Sequence, residues 1–179
     1  MGRVFLVNVG SNASHCFNSP IFEDGTFEFI PIPEDRDLPG PHSVFYRDLR
    51  SYNNSIDDLR RYIPRRFWDW PSHNDPEFET FTYGDNCEIS PRSASLKDVE
   101  PGDLLFFLAR LSKVMGDDVV NIRGKKGKGF YLVGCIEIEE VLPDVRSRPN
   151  KSVLRRFAAN AHIRRGLSDP ALWLSLIHI

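Results

Sequence analysis

The residue types best suited to chemistry gather in one irregular segment of the sequence, between Trp68 and Asn86. Aromatic faces stack on nucleobases, while aspartate, asparagine and histidine contact base edges or transfer protons. We therefore predict nucleotide-binding residues in this segment, namely Trp68, Trp70, Tyr83 and Asn86. The alternative is a loop-rich minor core, in which both tryptophans pack and the polar groups satisfy an irregular backbone.

A second candidate site is the turn that follows the first predicted strand. Its small polar residues would present N–H groups, hydroxyls and amides to a phosphate or to a base edge. The predicted contacts are Asn8, Ser11, Asn12 and His15. The chain has no glycine-rich phosphate-binding motif, so the alternative is a tight turn stabilised by asparagine, glycine and serine.

A basic loop near the last predicted strand pair carries enough positive charge to contact a phosphate backbone. The contacts would come from Arg123, Lys125, Lys126 and Lys128. We favour the alternative for this loop, which is a solvated hairpin tip. We interpret the arginine pairs around His162 in the same way, as the solvated surface of a helix.

Acid–base catalysis requires side chains that converge, and a sequence does not show which carboxylates do so. The candidates for this role are Asp24, Glu28, His73 and Asp85. The five histidines are isolated from one another, and we find no His/Asp/His iron triad at a convincing spacing. The three cysteines form no CxxC pair, which argues against a zinc site and a disulfide framework. We therefore expect no metal and no cofactor.

Composition limits the classes of protein to which the chain can belong. Its 179 residues suffice for one domain, predicted over residues 1–173, and the net charge is −2. A protein that coats nucleic acid is strongly basic, so any contact with nucleic acid here would need a local patch. No apolar run is long enough to cross a bilayer, and the N-terminus lacks a signal peptide. We predict a cytoplasmic protein with no membrane partner.

The patterning of apolar residues predicts a strand-rich α+β domain. We expect a central strand, buried on both faces, from Arg3 to Val9, and a hairpin closed by Asp24-Gly25. An antiparallel pair is predicted from Leu104 to Leu111 and from Phe130 to Leu142. Apolar residues at helical spacing predict one helix from Lys151 to Arg165. The fold class is α+β, a β-rich mixed sheet with a few flanking helices.

The end of the chain is a separate case. Residues 174–179 read as translated sequencing-adapter text. We therefore expect the natural sequence to continue differently beyond about residue 173, and the tail supports no functional argument.

Several segments of the chain resemble the nucleotide modification associated domain of type 3. The likeness lies in Asn8–Asn12, Ser19–Glu34, Asp69–Pro71, Thr82–Asp85 and Pro101–Asp103, and so extends over most of the chain. This resemblance implies an α+β domain that occurs in bacteria and phages beside enzymes that modify bases in DNA. It assigns no catalytic residue.

A second likeness concerns the strand pair alone. The segments Pro101–Phe107 and Tyr131–Ile138 are similar to the paired strands of PUA-like barrels, including the EVE and ASCH types. Such barrels bind modified bases in nucleic acid, and the resemblance implies a PUA-like, partly open barrel. The segments Asn8–Asn12 and Trp68–Asn86 have no place in that pattern.

Three functional hypotheses follow. The preferred one is a base or nucleotide recognition domain of DNA-modification or restriction systems, with a nucleotide or DNA as ligand and DNA-modification enzymes as partners. The second is an enzyme that acts on a nucleotide or a modified base, and the third is a protein-interaction module. A recognition domain should line a slot with aromatic side chains, and an interaction module should expose a large apolar patch. An enzyme should bring titratable groups with shifted pKa values together in one cleft.

Overall fold

The structure of the chain is a computed structural model that describes residues 2–10, 17, 19–34, 44–52, 58–87, 93–114, 127–142, 151–168 and 176–178. No helix within these ranges is long and apolar enough to span a membrane. The strands and α-helices are β1 (Val4–Asn8), β2 (Ser19–Ile21), β3 (Ile32–Pro33), β4 (Ser72–His73), β5 (Tyr83–Asp85), β6 (Leu104–Lys113), β7 (Lys128–Glu137), β8 (Val141–Leu142), α1 (Lys151–Arg156), α2 (Ala161–Ser168) and β9 (Leu176–His178).

The main sheet is organised around the long strand β6. Strand β7 pairs antiparallel with β6 over nearly its whole length, which confirms the predicted antiparallel pair. Strands β1 and β2 both pair parallel with β6, at Val4↔Leu104 and at Ser19↔Leu111. Because β7 occupies one edge of β6, the two short strands lie one after the other along the opposite edge.

One face of the main sheet carries the larger core. The buried side chains of β6 alternate along the strand, as expected for a sheet packed on one side. They include Leu105, Phe107 and Leu111, and each has an exposed fraction of 0%. A second core surrounds Tyr46 and Phe67 and is built mainly from the loop and 3₁₀ segments.

The structure corrects the environment predicted for β1. Among the described strands β1 pairs with β6 alone, so it lies at the edge of the sheet and is not central. Val4 and Leu6 are more than half exposed, while Val7 is buried. The prediction was wrong because an uninterrupted apolar run arises both when two faces are buried and when an exposed face is itself apolar.

The predicted hairpin is confirmed. The Phe22 N–H donates to the Thr26 carbonyl over 2.8 Å, and Gly25 returns a hydrogen bond to Phe22 over 3.1 Å. Ile21 and Phe27 face each other in an antiparallel bridge, so the chain reverses at Asp24-Gly25 as expected.

The single predicted C-terminal helix is instead two helices. Helix α1 ends at Arg156, and Asn160 caps the start of α2 because its side-chain oxygen accepts the His162 N–H over 2.9 Å. Asparagine offers the backbone an alternative to continued helix, so it favours a helix start over a helix interior. The apolar spacing continues across this break and therefore conceals it.

Two smaller sheets complete the described fold. Strands β3 and β4 pair antiparallel, with Ile32 opposite His73, and β9 lies between β5 and β8. The molecule is thus a strand-rich α+β fold with an open sheet, which confirms the predicted fold class. The PUA-like barrel stays a prediction.

Candidate functional site

Three side chains that carry metal-ligand or acid–base chemistry meet inside the protein, and we refer to His73, Asp75 and His162 as the His/Asp cluster. One donor atom from each residue lies within 4.8 Å of the others. His162 Nε2 is 3.3 Å from Asp75 Oδ2, and the two imidazole rings meet edge to face with centroids 4.6 Å apart. His73 and Asp75 are buried, and the side chain of His162 keeps 11% of its surface exposed.

The pairing of β3 with β4 sets one side of the cluster. The Glu34 N–H donates to the Pro71 carbonyl over 2.9 Å, so Glu34 continues the register of this strand pair. Its carboxylate therefore lies next to the ring of His73, and Glu34 Oε2 is 2.9 Å from His73 Nδ1. This contact orients the imidazole and fixes one of its two nitrogens.

Helix α2 sets the opposite side. His162 and Arg165 are three residues apart and therefore lie on the same face of the helix. Arg165 donates to both oxygens of Glu34, with Nε 2.8 Å from Oε2. This two-bond ion pair connects α2 to the residue that follows β3, so the helix and the small sheet hold the two histidines together.

Asp75 is held through one oxygen. Its Oδ1 accepts a hydrogen bond from Asn160 Nδ2 over 2.7 Å and another from the Gly84 N–H over 3.0 Å. The cap residue of α2 and the middle residue of β5 thus fix the carboxylate. The other oxygen, Oδ2, points to His162.

Burial shifts the pKa values of the cluster. Burial lowers the pKa of His73, and burial together with the charge of Arg165 lowers the pKa of His162 to about 4. Burial also raises the pKa of Asp75, which reaches about 7. For Glu34, burial acts to raise the pKa, but the hydrogen bonds from His73 and Arg165 outweigh it and lower the pKa to about 2. At neutral pH the cluster therefore holds neutral imidazoles beside an ionised Glu34.

The catalytic candidate Asp85 lies beside the cluster, on β5. Its charge acts to raise the pKa values of both Asp75 and His162. The Tyr83 hydroxyl donates to Asp85 Oδ2 over 2.9 Å. Tyr83 is itself buried in the larger core, so its ring is a packing element.

A cleft of about 200 Å³ lies next to the segments that carry the cluster, although His73, Asp75 and His162 are not among its lining residues. Asn74, the residue between His73 and Asp75, lines it, and so does Ala159, which precedes the cap of α2. The catalytic candidate Glu28 is buried and contacts two residues that line this cleft. Its carboxylate accepts hydrogen bonds from the Ser51 hydroxyl and, over 3.1 Å, from the Tyr52 N–H. Glu28 is therefore bonded to residues of the cleft wall, and no hydrogen bond or ion pair in the described residues joins it to the cluster.

The structure does not gather the other predicted site residues in one place. Asp24 accepts hydrogen bonds within its own turn, and Asn8 is exposed at the end of β1. Trp68 and Trp70 pack at the edge of the second core. Asn86 donates its N–H to Asp85, and Lys128 is the half-buried first residue of β7. The remaining predicted residues lie outside the described ranges, namely Ser11, Asn12, His15, Arg123, Lys125 and Lys126.

Of the three cluster residues, only His73 was predicted from the sequence as a site residue. His162 was expected on a solvated helix surface, but it is largely buried against His73. The signal was present, because His73 and Asp75 form an H-x-D pair only two residues apart in the sequence. Spacing along the chain was the wrong criterion for the second histidine, since the fold brings it to the pair.

The two imidazoles and the carboxylate of the cluster are also donors that suit a metal ion.

One comparison with known proteins finds a match over nearly the whole chain. Residues 3–174 match the family model described as nucleotide modification associated domain 3. No curated protein and no solved structure matches the chain.

Proposed function

The chain belongs to the nucleotide modification associated domain 3 family, and from this premise we propose that it is an enzyme acting on a nucleotide or on a base in nucleic acid. Its context in nucleotide modification follows from the family. The observation that carries catalysis is the convergence of His73, Asp75 and His162, with shifted pKa values, beside a cleft. Such convergence is typical of active sites and uncommon elsewhere.

The proposed roles of the cluster residues follow from which of their atoms are hydrogen-bonded to neighbouring residues. Asp75 Oδ2, His73 Nε2 and the ring of His162 form the reacting centre, because the hydrogen bonds from Glu34, Asn160 and Gly84 engage the other atoms, His73 Nδ1 and Asp75 Oδ1. Glu34, Arg165 and Asn160 are positioning residues, since they bond to the cluster and keep its rings and carboxylate in place.

The substrate would occupy the cleft. Two cationic side chains, Arg50 and Arg164, contribute to its wall, and guanidinium groups are well suited to a phosphate. Asn74 would contact a base edge from the same wall, because amide side chains both donate and accept hydrogen bonds. A nucleotide in this position would lie next to the cluster residues that flank Asn74.

Base recognition without chemistry is the second candidate, and one observation favours it. Trp68 is half-buried, and the guanidinium groups of Arg60 and Arg65 lie 5.4 and 6.0 Å from the centre of its ring. Positive charge around a flat aromatic ring is a common arrangement on nucleic-acid-binding surfaces. The predicted slot has less support, because Trp70 packs with the second core and Tyr83 with the larger one.

The two candidates predict different results in one experiment. The full chain is expressed in bacteria, and the nucleosides from digested DNA and from the free nucleotide pool are compared by mass spectrometry. We expect a nucleoside of altered mass in cells that carry the wild-type chain. It should be absent with Asp75→Asn and present with Asp103→Asn, a matched change at a buried aspartate outside the cluster.

The same experiment can also contradict the proposed enzyme activity. Unaltered nucleosides in cells that contain folded wild-type protein would overturn the proposal. If the purified chain then binds DNA with modified bases, and Trp68→Ala abolishes this binding, base recognition replaces it.

A further inference from the structure

We propose that His73, Asp75 and His162 together bind one divalent transition-metal ion, of the zinc(II) or iron(II) type. The inference deepens the proposed function, because the ion would occupy the same cluster. Metal binding can nevertheless be measured in the absence of any substrate, so the two proposals can fail separately.

The spacing of the donor atoms supports this inference. Bonds from zinc to nitrogen or carboxylate oxygen are about 2.0–2.2 Å long, so two ligands of one ion lie about 3 Å apart. His162 Nε2 and Asp75 Oδ2 are already 3.3 Å apart. The donor of His73 is within 4.8 Å of the other two, a distance that small side-chain rotations close when an ion binds.

The neighbours of the cluster form the kind of outer layer that metal ligands require. A ligating histidine usually donates its other nitrogen to a carboxylate, and a ligating carboxylate is itself hydrogen-bonded. Glu34 holds Nδ1 of His73, while Asn160 and the Gly84 N–H hold Oδ1 of Asp75. In these two ligands one atom is restrained, which leaves His73 Nε2 and Asp75 Oδ2 for the ion.

His162 provides an independent observation. Its Nδ1 is buried and has no hydrogen-bond partner in the described part of the chain. Its Nε2 lies 3.3 Å from Asp75 Oδ2. Buried polar atoms are nearly always hydrogen-bonded, so a buried imidazole with one nitrogen left unpartnered points to another role for the ring. Binding a metal ion supplies that role.

The donor set selects the class of ion. Two imidazole nitrogens and one carboxylate oxygen suit zinc(II) and iron(II), whereas soft ions such as copper(I) prefer thiolates. A site with three protein ligands also leaves coordination positions open to water or substrate. The proposed ion would therefore polarise or activate a group on the substrate, which is consistent with an enzyme of the proposed kind.

Metal binding to the full chain tests this proposal. The protein is treated with a chelator, its fold is checked by circular dichroism, and zinc(II), cobalt(II) and, without oxygen, iron(II) are titrated by calorimetry. We expect one equivalent of each ion to bind. Asp75→Asn and His162→Gln should each weaken binding by at least about tenfold, and Glu34→Gln by about 10- to 100-fold. Asp103→Asn should bind as the wild type does.

A second measurement covers variants that fail to fold. In the wild-type chain with ¹⁵N-labelled histidine, zinc(II) should shift the ring signals of two of the five histidines and leave the others unchanged. Elemental analysis of the protein as purified from cells then distinguishes zinc from iron as the resident ion.

Three results would overturn the metal site. They are no stoichiometric binding by folded wild-type protein, binding that is unchanged in both ligand variants, and a titration that moves no histidine signal. If nucleosides are altered in cells but the chain binds no metal, the proposed function stands and this inference fails. If metal binds and nucleosides stay unaltered, the metal site stands and the proposed function fails.

Discussion

At the scale of single residues, three aspartates occupy three different environments. Asp24 is exposed and accepts hydrogen bonds from the backbone and hydroxyl two residues further on, so it stabilises a turn. Asp103 is buried but paired with Arg3, whose hydrogen bond lowers the pKa of the carboxyl to about 2. Asp75 is buried against neutral donors such as Asn160, and its pKa is raised to about 7. Asp75 is thus the one of these three that is suited to a reacting centre.

The Asp103–Arg3 pair predicts how stability depends on pH. Because the folded pKa of Asp103 lies below the model-peptide value of 3.8, its stabilising effect is complete above about pH 4. That effect is lost as the pH falls towards 2. We expect Asp103→Asn to lower the urea midpoint at pH 7 and to differ little from wild type at pH 2.

Urea unfolding at pH 7, 4, 3 and 2 measures this directly. Asp98→Asn is the matched control, because the Asp98 side chain is exposed and the hydrogen bond from Arg3 goes to its backbone carbonyl. A deficit of Asp103→Asn that stays constant across the pH range would contradict the argument.

At the scale of elements, very short segments position the cluster. Strands β3 and β4 have two residues each, and β5 has three. Elements of this length carry little stability of their own, so they depend on contacts with other parts of the chain. Asn160 makes several of these contacts, since it caps α2, donates to Asp75 and lies 3.3 Å from Thr82 Oγ1.

Two substitutions separate the roles of Asn160. Asn160→Ala removes the cap of α2 and one donor to Asp75, and should destabilise the fold by about 2–4 kcal/mol. Asn160→Ser keeps a capping oxygen but loses the donor, and should cost about 1–3 kcal/mol. The measurement is urea unfolding with a chelator present, so that a bound ion adds no stability. Equal losses in the two variants would show that the cap contributes nothing.

At the scale of the whole molecule, the main sheet has one packed face and one open face. Val4 and Leu6 of β1 and Phe130 and Leu132 of β7 are all more than half exposed on the open face. Apolar surface of this kind is the criterion that we set for an interaction module, so partner docking stays a third hypothesis. The cleft lies elsewhere, where Phe29 of the larger core and Leu59 of the second core both contribute to its wall.

A matched pair of phenylalanines tests which face is the core. Phe107 on β6 is fully buried, while Phe130 on the adjacent strand β7 is 61% exposed. Phe107→Ala should destabilise the protein by about 3–5 kcal/mol, because it creates a cavity. Phe130→Ala should change stability by no more than about 0.5 kcal/mol. Thermal or urea unfolding of both variants measures the difference, and similar losses would mean that the open face is covered.

The sequence by itself determined the local features of this protein. Its family, the strand-rich α+β class, the β6–β7 pair and the turn at Asp24-Gly25 were all predicted. The family was predicted from the resemblance of several segments, whereas the fold class, the strand pair and the turn depend on the period of apolar residues and on the turn preferences of neighbouring residues. His73 was also among the candidates, because the segment around it concentrates reactive side chains.

The tertiary structure alone determined which surroundings each side chain has and which residues it contacts. The open face of β1, the break before α2 and the burial of His162 could not be inferred from apolar spacing. Glu34 and Arg165 pair across most of the chain, because β3 register and α2 packing bring them together. Convergence of this kind is a property of distances in space, whereas a sequence pattern reports only distances along the chain.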